Sequence, residues 1–371
     1  MTGQASDLLL ETLRLRPGSS GPDLRCAWRA ARTESLAALV AFEGCSLWLY
    51  RRLTELGALA GVEPAFAAWL ARSARRIAAR NLLVDAQRDA VVAILNELEC
   101  PHVLLKGAGR RLVTHLYPYA DARATGDVDV LLPVDRAQEA WDRLRAAGFA
   151  APPHVRPTHA MHHHLTPLAN ERPVCVEIHT STARGLPARE AWARMTIDAL
   201  PVQHERRTTR VASATELLWH AVAHAFAAPP ATAFRLRFLL DAAVVWTGGE
   251  ALDWTRIERR LDGGELPTPR LARRWLGAAA WLAGRAAPAR VIGTEPPFAL
   301  HHLLRWQLDV CRALAWGPGS WSRAPVSRLR RLLIEEATRA SVGVPIAAAP
   351  VARWPAAGLA RMCFRTWSLM D

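Results

Sequence analysis

Two aspartates, Asp127 and Asp129, stand two residues apart in the run GDVDVLL. The alternation predicts a strand on which both carboxylates leave one face while Val128 and Val130 leave the other. Paired carboxylates repel each other unless a cation lies between them. Their hard oxygens suit Mg²⁺, with Mn²⁺ as the alternative ion, shared with substrate phosphates. A third acid, Glu177, lies in the alternating run CVEIH. On a neighbouring strand it completes a two-metal site or serves as the base. The cationic counterpart is Lys106 in VLLKGAG, the only lysine among 47 Lys and Arg residues. A compact ammonium reaches a phosphate where a planar guanidinium does not fit. Gly107 and Gly109 permit close backbone approach, and a helix opening there offers free N–H groups to an anion. The GxxxxGK[ST] phosphate loop is absent.

The histidines form a second set of candidates. HAMHHHL places His162 and His164 on one strand face and His163 on the other, with His159 just before. His179 lies two residues beyond Glu177 on the same face. His179, His162 and His164 are therefore expected to reach an acceptor or a phosphate. Adjacent histidines without a second ligand pair argue against a metal site of their own. His220 and His224 are four apart on a helix but lack the glutamate of a zinc protease. They are expected to pack against the helix bearing Asp241, where Arg235, Arg237 and Asp241 predict a buried ionic network.

The elements that position these groups follow from periodicity. Residues 1–98 carry apolar residues at helical spacing, and helices return from about residue 214. Between them HVLL, DVDVLL and VCVEIH read as strands. GRRLVTHLY reads as a helix between the first two, and Asp135 as the cap of a helix that Gly148 ends. The expected organisation is an N-terminal helical region (1–98), a small α/β domain (99–212) and a C-terminal helical domain (213–371).

Composition narrows the class. In 371 residues, 51% are hydrophobic and 22% charged, which is a globular composition. Six well-separated cysteines without a CxxC pair exclude a zinc knuckle, a redox dithiol and a secreted disulfide framework. The start lacks the features of a signal peptide and no apolar run is long enough to span a membrane, so a cytoplasmic protein is expected. A net charge of +13 points to anionic partners: nucleotides, acidic substrates or RNA. No basic cluster interleaved with aromatics supports RNA as the substrate.

The order LLKG, YPYADARATGDVDVLL, VEIH and then a helical FLLD resembles the uncharacterised nucleotidyltransferase family of the polymerase-β-type superfamily. That bacterial family is often found near natural-product or surface-polysaccharide biosynthesis genes. The resemblance covers roughly residues 80–250. It implies an α+β fold, with a small mixed-sheet nucleotidyltransferase-like domain flanked by N- and C-terminal helical regions. It also implies Lys106 and Gly107 at the phosphate-facing turn, Arg123 near the nucleotide phosphates, Asp127 and Asp129 as metal ligands, and Glu177 as the third acid. Two departures stand out: Lys-Gly replaces the superfamily's Gly-Ser, and the spacing from that turn to the aspartates is longer than in compact members.

The expected activity is Mg²⁺-dependent transfer of a nucleoside monophosphate from a nucleoside triphosphate to a small-molecule or peptide acceptor in a biosynthetic pathway. The alternatives are a non-catalytic protein of the same fold binding a precursor peptide, and an RNA-directed transferase.

Overall fold

The computed structural model describes residues 3–33, 36–152, 163–183, 186–227, 235–266, 268–292 and 300–313. His159 and His162 lie outside the described residues. Helices α1 (Gly3–Leu13), α2 (Gly21–Ala30), α3 (Leu36–Glu43), α4 (Ser46–Glu55) and α5 (Pro64–Glu97) come first. Then follow β1 (Val103–Leu104), α6 (Lys106–Arg110), β2 (Asp127–Leu131), α7 (Ala137–Ala146) and β3 (Cys175–His179). After α8 (Ala188–Thr196), β4 (Leu200–His204) and β5 (Arg207–Val211), α9 (Ala214–Ala227) and the Asp241 helix (Leu236–Thr247) open a second helical set. The fold is α+β, a five-stranded mixed sheet among helices. Among the described residues no helix is long and apolar enough to cross a membrane.

The sheet order is β3-β2-β1-β5-β4. β2 pairs parallel with β3 and antiparallel with β1, while β1 pairs parallel with β5. Strand alternation then sorts the side chains of β2. Val128 and Val130 enter a core with Val84, Val91, Leu95 and Leu144 of α5 and α7. Leu131, from the opposite face, enters a second core shared by helices from both ends of the described chain. The aspartates therefore face the side on which the N- and C-terminal helices gather.

α5 runs for 34 residues because Glu63 caps its first turn, accepting from Ala65 N (2.8 Å) and Phe66 N (3.0 Å), and Pro64 occupies its first position. Two expectations need correction, and one element was not foreseen. The GRRLVTHLY helix shrinks to the five residues of α6, followed by three-residue turns closed by Val113 N on Arg110 O and Leu116 N on Val113 O. Glycines and the β-branched Val113 and Thr114 leave too little helix propensity to continue. Asp135 does not cap α7, whose cap position is Arg136 without a side-chain capping bond, although Gly148 does lie just past its end at φ +91. The β4–β5 hairpin was not expected at all, because the charged turn HERR masks the alternation of Leu200, Val202, Thr209 and Val211.

Candidate active site

Parallel pairing sets Asp129 opposite Glu177 and Asp127 opposite Cys175. Asp129 is wholly buried. Its Oδ1 accepts from the Lys106 ammonium and lies 2.8 Å from His179 Nε2, which is 3.4 Å from Glu177 Oε2. Asp129, Glu177 and His179 each present a ligand atom within 4.8 Å of the others and form a group able to hold a metal ion. Burial alone would raise the Asp129 pKa, but Lys106 and His179 outweigh it and hold this carboxylate well below the usual range. The hydrogen bond from His179 lowers Glu177. Asp127 behaves oppositely: burial, with Asp129 beside it, pushes it up to about 6.

Three buried polar atoms in this neighbourhood, Asp129 Oδ2, Thr125 Oγ1 and His179 Nδ1, have no hydrogen-bond partner among the described residues. Unsatisfied buried oxygens on a face rich in carboxylates fit a hard divalent cation and its ligand waters.

Lys106 sits at φ +43, in the left-handed region that favours glycine. The strain is held in place by its ion pair with Asp129 and by the next residue: a Cβ on Gly107 would strike Arg123 Nη1 at 2.5 Å and the Thr125 side chain. The close approach expected at Gly107 is thus made by the protein's own groups, and the short α6 offers no separate anion site. Lys106→Gly and Lys106→Ala both delete the ammonium, but only glycine relieves the backbone. The glycine variant should be the more stable by about 1 kcal/mol in chemical denaturation. An alanine variant of equal or greater stability would show that the strain is not retained in solution.

Arg123 lies just before β2 and is anchored by Asp241: its Nε is 2.9 Å and 3.0 Å from the two carboxylate oxygens. Arg110 Nη1 reaches Asp241 Oδ2 at 2.9 Å, and the Tyr117 hydroxyl donates to Oδ1 at 2.5 Å. Burial would raise Asp241, but the two guanidiniums outweigh it and lower its pKa. The expected network around Asp241 exists with different arginines. Arg237, one turn away on the same helix, is exposed, stacks over Phe238 at 4.5 Å, and has no carboxylate partner among the described residues. Arg235 lies over Phe42 at 4.4 Å. A buried carboxylate is satisfied by buried donors from other elements sooner than by a solvated neighbour on its own helix.

His163 and His164 both gather at His179, with ring centroids 5.3 Å and 5.5 Å away. Strict alternation, which would send them to opposite faces, fails because this segment pairs with β3 only through isolated bridges. His224 packs edge-on against Phe238 at 5.4 Å, on the Asp241 helix as expected.

Sequence reasoning overlooked the α5 clamp. Asn81, buried, donates to Arg123 O (3.0 Å) and accepts from Thr125 N (3.0 Å), while Arg80 reaches Gly126 O at 2.7 Å and Pro173 O at 2.5 Å. Together they set the loop that enters β2 and tie it to the approach to β3. A signal existed: the chain has only three asparagines, and two of them, Asn81 and Asn96, lie within the long helix. Asparagine disfavours helix interiors unless its amide has a partner.

A cavity of about 310 Å³ opens beside the cluster, lined by Lys106, Asp127, Arg123, Arg237, His224 and Trp48 among others. Its walls thus come from α4, the sheet and both C-terminal elements, α9 and the Asp241 helix. Three cations and two carboxylates, Asp127 and the Asp241 that anchors Arg123, around one opening form a receptor for a polyanion carrying a divalent ion.

A family model described as an uncharacterised nucleotidyltransferase matches residues 29–282, more than half of the chain. No curated protein and no solved structure matches it.

Proposed function

Because the chain belongs to the uncharacterised nucleotidyltransferase family, a transferase class, we propose that it moves a nucleoside monophosphate from a nucleoside triphosphate to a hydroxyl or amine of a small-molecule or peptide acceptor. The observation that carries this reading is the acidic cluster of β2 and β3, whose Asp127 lines a cavity with Lys106, Arg123 and Arg237. Asp127, Asp129 and Glu177 would hold Mg²⁺, which when bound neutralises phosphate charge and aligns the attack. The acceptor oxygen or nitrogen bonds to the α-phosphorus, the bond to the β-phosphate breaks, pyrophosphate leaves with the electron pair, and the acceptor proton passes to solvent. Glu177, held low by His179, serves better as a ligand than as a base. Arg123, fixed by Asp241, and Arg237 offset charge on the phosphates.

Incubation with Mg²⁺, candidate acceptors and a triphosphate labelled at the α-phosphate should yield labelled acceptor and free pyrophosphate. Transfer of a γ-label instead would replace this reading with phosphoryl transfer. A second reading, a fold retained for binding alone, is favoured by the Lys106 ammonium on Asp129, since a fixed cation there competes with a metal. It predicts no Mg²⁺ binding at all.

Metal binding should titrate with Asp127. In the metal-free protein this carboxyl keeps its proton up to about pH 6, whereas an unfolded aspartate loses it near about 3.9. Its contribution to stability therefore falls as pH rises through that window and stays lost above it. Mg²⁺ requires the ionised form, so it should raise the melting temperature more above about pH 7 than below about pH 5. Asp127→Asn should abolish that difference. Equal shifts at both pH values in the parent protein would remove Asp127 from the metal set.

A further inference from the structure

A second cavity, about 540 Å³ in volume and within the range that encloses a drug-sized ligand, lies along α9. One face of α9 supplies Glu216, Trp219, His220, Ala223 and Phe226, at helical spacing; Met195 and Leu266 lie across from them. Thr182 and Ala183, just beyond the His179 end of β3, join the wall. The cavity therefore begins where the acidic cluster ends. His220, which lines it, has its ring 6.3 Å from that of His224, which lines the cationic cavity. The two openings flank the same pair of α9 histidines.

Resting on the nucleotidyl-transfer reading above, we propose that this second cavity binds the acceptor, and that the acceptor is an uncharged, hydroxyl-bearing small molecule with an apolar, ring-sized body. Placement supports the role. In-line displacement needs the attacking oxygen and the leaving pyrophosphate on opposite sides of the phosphorus. Two separate cavities that meet at the α9 histidines, one cationic and one more apolar, offer a place for each group.

The lining supports the chemical class. Trp219, Phe226, Met195 and Leu266 are all buried apolar groups that would pack against a ring. The charges within the cavity are already spent on each other. Both Glu216 oxygens take 2.7 Å bonds from Arg260, and Arg194 pairs with Glu190 and, at 2.7 Å, with Glu265. A charged ligand would find no free counter-charge there. By contrast His220, 4% exposed, has an Nδ1 without a hydrogen-bond partner among the described residues. Burial keeps its imidazole neutral, pushing its pKa well below the usual range. A hydroxyl both donates and accepts, so one that reaches that nitrogen from the cavity satisfies it in either tautomer, which an ammonium or a carboxylate does not.

Ligand-observed fluorine NMR on the full chain, with Mg²⁺ and a non-hydrolysable nucleoside triphosphate analogue present, tests this directly. The probes are para-fluorobenzyl alcohol and para-fluorophenol, with para-fluorobenzoate and para-fluorobenzylamine as charged counterparts. The two alcohols should broaden on the parent protein and the charged pair should not. Ala223→Leu, which fills the cavity, should weaken alcohol binding by about tenfold or more while nucleotide affinity is retained; Met195→Phe does the same from the opposite wall if Ala223→Leu does not fold. Equal binding of the charged probes, or alcohol binding untouched by both filling variants, would overturn the proposal. Loss of nucleotide binding in the parent protein, with alcohol binding intact, would instead remove the transfer reading and leave a neutral-alcohol site without its acceptor role.

Discussion

Asp129→Asn is expected to lower turnover by about a thousandfold, the loss of roughly 4 kcal/mol of transition-state stabilisation that a missing anionic metal ligand entails. It should also destabilise the metal-free fold. Asp129 is wholly buried and faces two donors, the Lys106 ammonium and His179. Asparagine keeps one carbonyl oxygen for them but no charge, leaving Lys106 buried with only Asp127 and Glu177 to offset it. Breaking a buried pair costs about 3 kcal/mol or more. Asp127→Asn separates the two effects. Burial and Asp129 already penalise its charge in the metal-free protein and raise its pKa to about 6, so its amide should cost activity while leaving denaturant stability near the parent value. Activity assays paired with denaturation curves read both outcomes. Parental stability in Asp129→Asn would mean that Lys106 and His179 find other partners when the carboxylate is removed.

Asp241→Ala should produce the largest loss of stability away from the acidic cluster, about 4 kcal/mol, because it strands Arg110 and Arg123 without their shared counter-charge and leaves the Tyr117 hydroxyl unpaired. Asp241→Asn should lose nearly as much, since an amide still accepts from Tyr117 but does not neutralise two guanidiniums. Nucleotide affinity should fall in parallel, as Arg123 is no longer held at the cavity. The sign of the pH dependence follows from the lowered Asp241 carboxyl. Its stabilisation is complete above the unfolded value near about 3.9 and is lost as pH falls through the folded one. In Asp241→Ala that part of the acid sensitivity should disappear. An alanine variant that unfolds at the parental urea concentration would show that the network carries no net stability.

Period-two alternation is a property of the local backbone. It therefore placed Asp127 with Asp129, and Glu177 with His179, on shared strand faces from the sequence alone. Helical periodicity likewise identified the flanking helices, and the order of LLKG, DVDVLL and VEIH identified the family. The lone lysine drew attention to Lys106 for a compositional reason. The same reasoning applied to the three asparagines would have found the Asn81 clamp. Where propensity was weak, as in GRRLVTHLY, periodicity overstated the helix.

Partner choice was decided only by the tertiary structure. Nothing near Asp241 in the sequence predicts Arg110, Arg123 and Tyr117 as its donors, and the adjacent Arg237 turned out to face a cavity instead. The parallel register that sets Asp129 opposite Glu177, the Lys106 ammonium on Asp129 and the left-handed backbone beneath it all depend on segments far apart in the chain. So does the division of space around α9 into a cationic and an apolar cavity. Spacing along a strand or helix determines which side chains share a face. Which charges then meet is governed by desolvation, because a buried ion takes whichever buried counter-ion the fold brings to it.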